Sequence, residues 1–111
     1  MRFTDGGEGT FGANAGLPTV ALDLLKPITD KYVPNTISNA DLWALAANVA
    51  TEAMGGPAIK TRFGRVDASD SKASVESQVG RLPDGDKGCD HLRAIFHPKG
   101  FTDKDIVALS G

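Results

Sequence analysis

Apolar residues recur at three- and four-residue spacing in several stretches of the chain, and that spacing predicts helices. From Gly16 to Tyr32, the residues Leu17, Val20, Ala21, Leu24, Leu25 and Ile28 share one helical face. Pro18 suits the first turn of this helix, and Pro27 stands where it should kink or fray it. From Ala40 to Met54 a broader stripe forms from Leu42, Leu45, Ala46, Val49, Ala50 and Ala53, a width that predicts burial on more than one side. Ser38 is a good N-cap for it, Asp41 lies three residues on as in a capping box, and Gly55 and Gly56 end it. A short helix is predicted from Cys89 to His97, with Leu92, Ile95 and Phe96 inward and Pro98 and Gly100 as the stop. The last helix opens at Thr102. Asp105 stands at its third position, Phe101 and Ile106 are spaced as a hydrophobic staple, and Asp103 complements the positive end of the helix dipole. So strong a start before barely two turns predicts that the chain is a fragment.

Between these helices the pattern lapses. Residues 1–13 read as a Gly-rich polar loop, and residues 57–86 have no period. A loop that long in a small domain is usually functional or held by something else, here a ligand or more protein. The expected fold is therefore mostly α, a single partial domain over residues 1–111 with long irregular loops. Composition agrees: 41% of residues are hydrophobic, and the few aromatics (6%) leave the core to Leu, Val, Ile and Ala. Charged residues make up 23% and balance to a net charge of -2, which argues against a nucleic-acid arm or a polybasic membrane patch. No apolar run reaches membrane-spanning length, and the opening Met-Arg-Phe-Thr-Asp-Gly-Gly is not a signal peptide. The single cysteine, Cys89, cannot form an intrachain disulfide and fits a reducing compartment.

Candidate chemistry from residue types alone is thin. Gly7-Glu8-Gly9-Thr10-Phe11-Gly12 matches G-x-G-x-x-G, but no buried strand precedes it, so a flexible loop is preferred to a dinucleotide site. Asp86, Cys89, Asp90 and His91 cluster without any zinc spacing and read as solvated helix charges. His91 and His97, six apart, do not share a helix face and default to the surface. Asp86 and Asp90 would raise the Cys89 thiol pKa, so Cys89 reads as a half-buried structural residue rather than a nucleophile.

Several segments add a family resemblance. Gly80-Arg81-Leu82-Pro83-Asp84, continuing through Lys87-Gly88-Cys89-Asp90-His91-Leu92-Arg93, resembles the GRLPD..KG.DHLR segment of class I haem peroxidases, the ascorbate and cytochrome c peroxidase group. Asp103-Lys104-Asp105-Ile106-Val107-Ala108-Leu109-Ser110-Gly111 is similar to the run that leads into the proximal histidine of that family. Gly12-Ala13-Asn14-Ala15-Gly16-Leu17 is similar to its GANAGL, with Gly55-Gly56-Pro57 and Gly64-Arg65-Val66-Asp67 in matching order between. The resemblance covers almost all of this chain and implies an all-helical fold around haem b. It implies two-electron reduction of hydrogen peroxide, followed by one-electron oxidations of ascorbate or cytochrome c.

Carried over residue by residue, Asn14 matches the asparagine that accepts a hydrogen bond from the distal histidine, and Glu8 its acidic partner six residues earlier. That bond would fix the imidazole tautomer and keep the other nitrogen as a base toward peroxide. On residue type alone, Asn14 would be only a helix N-cap. Leu82 and Pro83 match a loop against the haem edge, and Leu92, Phe96, Leu109 and Ser110 match residues lining the proximal side. The distal Arg and His of the family would precede Met1, and its proximal His would fall two positions past Gly111. The resemblance therefore implies no metal ligand in this chain and an inactive fragment. The alternative is a short, non-catalytic derivative with a binding or structural role, and after it an unrelated helical domain. Ile106–Gly111 and Asp90–Arg93 lean toward the ascorbate branch, Gly64–Ala68 toward the cytochrome c branch, and Asp67–Gly80 reads as a polar surface insertion. Chloroplast, mitochondrion and cytosol all remain open as compartments.

Overall fold

The computed structural model describes residues 1–76 and 81–111, so Gly80 of the GRLPD motif lies outside the described residues. Two compact units divide the chain, Met1–Lys72 and Ala73–Gly111. Two 3-10 turns, Glu8–Thr10 and Gly12–Asn14, open the first unit. A π-helical turn at Leu17–Leu22 runs into α1 (Asp23–Tyr32), and α2 (Asn39–Ala53) follows. The short α3 (Lys72–Glu76) precedes α4 (Cys89–Phe96), a 3-10 turn at His97–Lys99 and α5 (Asp103–Leu109). The described residues contain no strand, in keeping with the all-helical class.

α1 continues through Pro27 instead of ending there. The irregularity falls earlier, as the widened π turn at Leu17–Leu22. Proline has no N–H to close the preceding turn, so the backbone before it is the weaker part of the ladder.

α2 shows how local and distant residues share one helix start. Ser38 Oγ accepts from Asp41 N at 3.1 Å, the first half of a capping box. The second half does not form, because the Asp41 carboxylate turns away to Gly64 and Arg65. The Asp67 carboxylate instead caps the helix, accepting from Asn39 N and Ala40 N at 2.9 Å each and from Asn39 Nδ2. Asp67 is thus a structural cap and not part of an idle polar insertion. At the other end Gly56 N reaches Thr51 O at 2.9 Å and Gly55 N reaches Glu52 O at 3.0 Å, a Schellman closure. Gly55 has φ +90, and a Cβ on Gly56 would lie 2.8 Å from the Thr51 carbonyl oxygen, so both positions require glycine.

Burial is sparse. Leu42 on α2 is 5% exposed and Ile106 on α5 is 7% exposed, one anchor in each unit. The apolar face running from the π turn through α1 is open, with Val20, Leu24 and Ile28 exposed. The broad α2 stripe is not buried on several sides among the described residues, since Val49, Ala50 and Ala53 are exposed. Periodicity reports how wide an apolar face is; burial also needs an element to cover it, and the described residues supply none for these faces.

α5 forms as its start signal predicts. Thr102 Oγ1 accepts from Asp105 N at 3.3 Å, and the Asp105 carboxylate takes Thr102 N at 2.8 Å, a complete capping box. Phe101 lies edge-on to Phe96, with ring centroids 5.5 Å apart at 68°. Thr102→Ala removes one arm of the box and is expected to cost about 1 kcal/mol. The loss should appear in urea denaturation of the complete protein as a lower midpoint at unchanged slope.

Candidate functional site

In the first unit, the two 3-10 turns fold the Gly-rich loop back on itself. Thr10 N bonds Gly7 O at 2.9 Å and Asn14 N bonds Phe11 O at 2.8 Å. Gly7 is packed so closely that an added Cβ would lie 2.4 Å from the Phe3 Cβ. The loop is therefore a folded structural turn, with no strand before it to make a nucleotide fingerprint. Its result is to bring Asn14 onto Glu8. Asn14 Nδ2 donates to the Glu8 main-chain carbonyl at 2.8 Å. Asn14 is not a helix N-cap; Gly16, at φ +83, holds that position. With Nδ2 spent on the carbonyl, Oδ1 is left as the acceptor face of the amide, and no described residue donates to it.

The Glu8 carboxylate does not meet Asn14. Its Oε1 pairs with the Met1 amino group, and its Oε2 is buried without a partner. Burial pushes the Glu8 carboxyl up, but the Met1 amino group and nearby main-chain N–H groups outweigh it and hold it below the usual carboxylate range.

Asp41 and Asp67 brace the same unit. Asp41, 5% exposed, accepts from Gly64 N at 2.7 Å, Arg65 N at 3.2 Å and Arg65 Nη1 at 3.0 Å. The Gly64 N–H is the main cause of its lowered pKa; burial opposes it, and Arg65 reinforces it. For Asp67, burial pushes upward and is outweighed by Asn39, Ala40 and the Arg2 guanidinium 3.4 Å away, so its pKa is also lowered. The irregular stretch after α2 is thus held over residues 64–67 by the chain's own carboxylates.

In the second unit, Leu82 and Pro83 sit in a loop fastened at both ends. Lys99 Nζ donates to Arg81 O, and Asp84 N donates to His91 Nε2 at 2.9 Å. Lys87 Nζ holds the Asp84 carboxylate at 2.6 Å and is the main cause of its lowered pKa. Arg93 forks onto Asp103, with Nη2 at 3.0 Å and Nε at 3.2 Å, and so ties α4 to α5. His97 Nε2 lies 2.8 Å from the same carboxylate. Arg93 first and His97 second lower the Asp103 pKa, and Asp103 raises that of Arg93.

Between α4 and α5 lies an open, mainly apolar pocket of about 390 Å³, lined among others by Cys89, Leu92, Ile106, Val107 and Ser110. Leu92 and Ser110 are therefore brought together. Phe96 packs instead on Phe101, Leu109 is exposed on α5, and Leu82 is 65% exposed in the fastened loop. Cys89 is exposed at the pocket and not half-buried, because it is the first residue of α4. No three His, Cys, Asp or Glu side chains gather among the described residues, so Asp86, Cys89, Asp90 and His91 do not form a ligand set.

The family described as peroxidase matches residues 1–111. The chain belongs to the peroxidase family. Its relatives place it in the class I haem group. A protein of Mycosarcoma maydis described as a heme-binding peroxidase is 52% identical over 105 residues, covering 94% of this chain and 30% of the relative. A protein of Oryza sativa subsp. japonica described as a peroxisomal L-ascorbate peroxidase is 49% identical over 104 residues, covering 94% of the chain and 33% of the relative. A mitochondrial cytochrome c peroxidase of Emericella nidulans is 46% identical over 111 residues, covering all of the chain and 28% of the relative. This peroxidase chain thus spans about a third of the length of the curated relatives it matches.

Sequence reasoning on the peroxidase chain missed His91 as a partner of the Leu82–Pro83 loop. A main-chain donor in a Pro-Asp-Gly turn leaves no residue-type signal pointing to an imidazole seven positions away.

Proposed function

We propose that this chain forms part of the haem-binding frame of an enzyme that reduces hydrogen peroxide at the expense of ascorbate or cytochrome c. The observation that carries the reading is the Asn14 amide, locked by its Nδ2 to the Glu8 carbonyl at 2.8 Å with Oδ1 left to accept. Such an amide orients a distal imidazole by accepting its N–H, which keeps the other ring nitrogen available as a base. Haem b, when bound, supplies the redox chemistry. The chain's second unit suits a flat apolar group. It offers an open apolar pocket at Leu92 and Ser110, and it presents Leu82 and Leu109 to the outside. In this reading Leu82, Pro83, Leu92 and Leu109 supply that apolar contact, Phe96 backs it through Phe101, and Ser110 lines the pocket with its hydroxyl turned to the Ile106 carbonyl. Both imidazoles are engaged at Nε2, His91 by Asp84 N and His97 by Asp103, which supports a reading in which the iron ligand comes from elsewhere in the peroxidase.

The test compares two proteins. The complete protein carrying this sequence, loaded with haem, is expected to consume hydrogen peroxide and oxidise ascorbate or ferrocytochrome c. The 111-residue chain alone is expected to show no turnover. Haem-loaded complete protein without peroxide consumption would overturn the reading, as would turnover by the isolated chain.

A further inference from the structure

We infer that His91 is a positioning residue: by accepting the Asp84 N–H at Nε2, it holds the Leu82–Pro83 loop in the geometry that faces haem. This rests on the haem-binding reading above. The Asp84 N to His91 Nε2 distance is 2.9 Å, and only an unprotonated Nε2 can accept. The neutral ring therefore carries its proton on Nδ1. The same nitrogen lies 3.8 Å from an Asp84 carboxylate oxygen, too far for a hydrogen bond. His91 thus grips the loop by its main chain, while Lys87 takes the Asp84 side chain.

Leu82 explains why such a grip matters. It is 65% exposed, yet the residues on both sides of the Leu82–Pro83 pair are fastened, Arg81 by Lys99 and Asp84 by His91. An apolar residue presented to solvent on a loop held at both ends is preorganised for an apolar ligand, because the ordering cost is met before binding. Arg93 and His97 are committed to Asp103, and Lys99 to the Arg81 carbonyl.

The test uses the complete protein. His91→Leu removes the acceptor, and His91→Gln restores one on a flexible chain. In the haem-free protein, His91→Leu is expected to raise hydrogen exchange at the Asp84 amide roughly fivefold to tenfold, the scale of one lost hydrogen bond. In the haem-loaded protein it should speed haem dissociation by a similar factor. His91→Gln should recover most of both, which loss of bulk alone would not. Unchanged exchange in His91→Leu overturns the inference. If His91→Leu does not fold, nitrogen NMR of the unmodified protein at neutral pH decides: a protonated Nε2 overturns the assignment and an unprotonated one supports it. Faster amide exchange in a protein that fails to bind haem would establish the grip on Asp84 while refuting the proposed function and, with it, the positioning role toward haem.

Discussion

Asp41→Asn is expected to lower the thermal midpoint of the complete protein by roughly 10 °C at neutral pH, well beyond a typical surface substitution. The wild-type carboxylate is 5% exposed and accepts from Gly64 N, Arg65 N and the Arg65 guanidinium. Asparagine keeps the shape but replaces one acceptor oxygen with an NH2 group, which must face an N–H. It also leaves the Arg65 cation without its counter-charge. A buried donor left unmet loses its full solvation, which is a larger penalty than the net value of the bond. The pH dependence separates this account from simple misfit. The folded-state pKa of Asp41 is lowered, chiefly by the Gly64 N–H against the opposing effect of burial. A depressed carboxylate contributes stability that is complete above its unfolded value of about 3.9 and is lost as pH falls through the lower folded value. Wild type and Asp41→Asn should therefore differ most at neutral pH and converge in acid. Equal midpoints at pH 7, or a gap that persists in strong acid, would rule out the charge-based account.

The fate of Asp41 also shows which parts of the fold could be read from sequence. Helix ends written in neighbouring residues were legible: Thr102 with Asp105 opens α5, and Gly55 with Gly56 closes α2. The N-terminus of α2 was half legible. Ser38 caps as expected, but the carboxylate three residues on serves Gly64, and the Asn39 and Ala40 N–H groups are met by Asp67, 28 residues from Asn39. Nothing local encodes a cap that arrives from a distant loop. The same blindness covered residues 64–67, which looked unsupported because most of the bonds that hold them have a main-chain N–H at one end. Burial was overestimated along α2, since an apolar stripe states a need for cover and not where cover lies. In the proposed site, Asn14 was singled out through its motif. Its clamp was not, because the Glu8 carbonyl that holds it would be the same on any residue.

That clamp carries the second large effect. Asn14→Ala in the complete, haem-loaded protein is expected to slow the reaction with hydrogen peroxide by about 10- to 100-fold, the usual cost of losing a group that orients a ligand-side histidine. The Nδ2 bond to the Glu8 carbonyl fixes which way the amide points, so in the proposed role Oδ1 is the end offered to the distal imidazole. Without that acceptor the imidazole is free to rotate or to hold its proton on the wrong nitrogen. The proton transfer proposed for it is worth about 100- to 10,000-fold in rate, and a part-time base would retain only a fraction of that. Asn14→Asp separates the two ends of the amide. It keeps an acceptor for the imidazole but sets an oxygen against the Glu8 carbonyl, so the clamp is lost while the acceptor remains. An intermediate rate for Asp, between wild type and Ala, is the expected order. Oxidation of the donor, followed separately, should change little in either variant, because neither substitution touches that step. A peroxide rate in Asn14→Ala equal to wild type would remove Asn14 from the machinery and leave its bond to Glu8 as a loop brace alone.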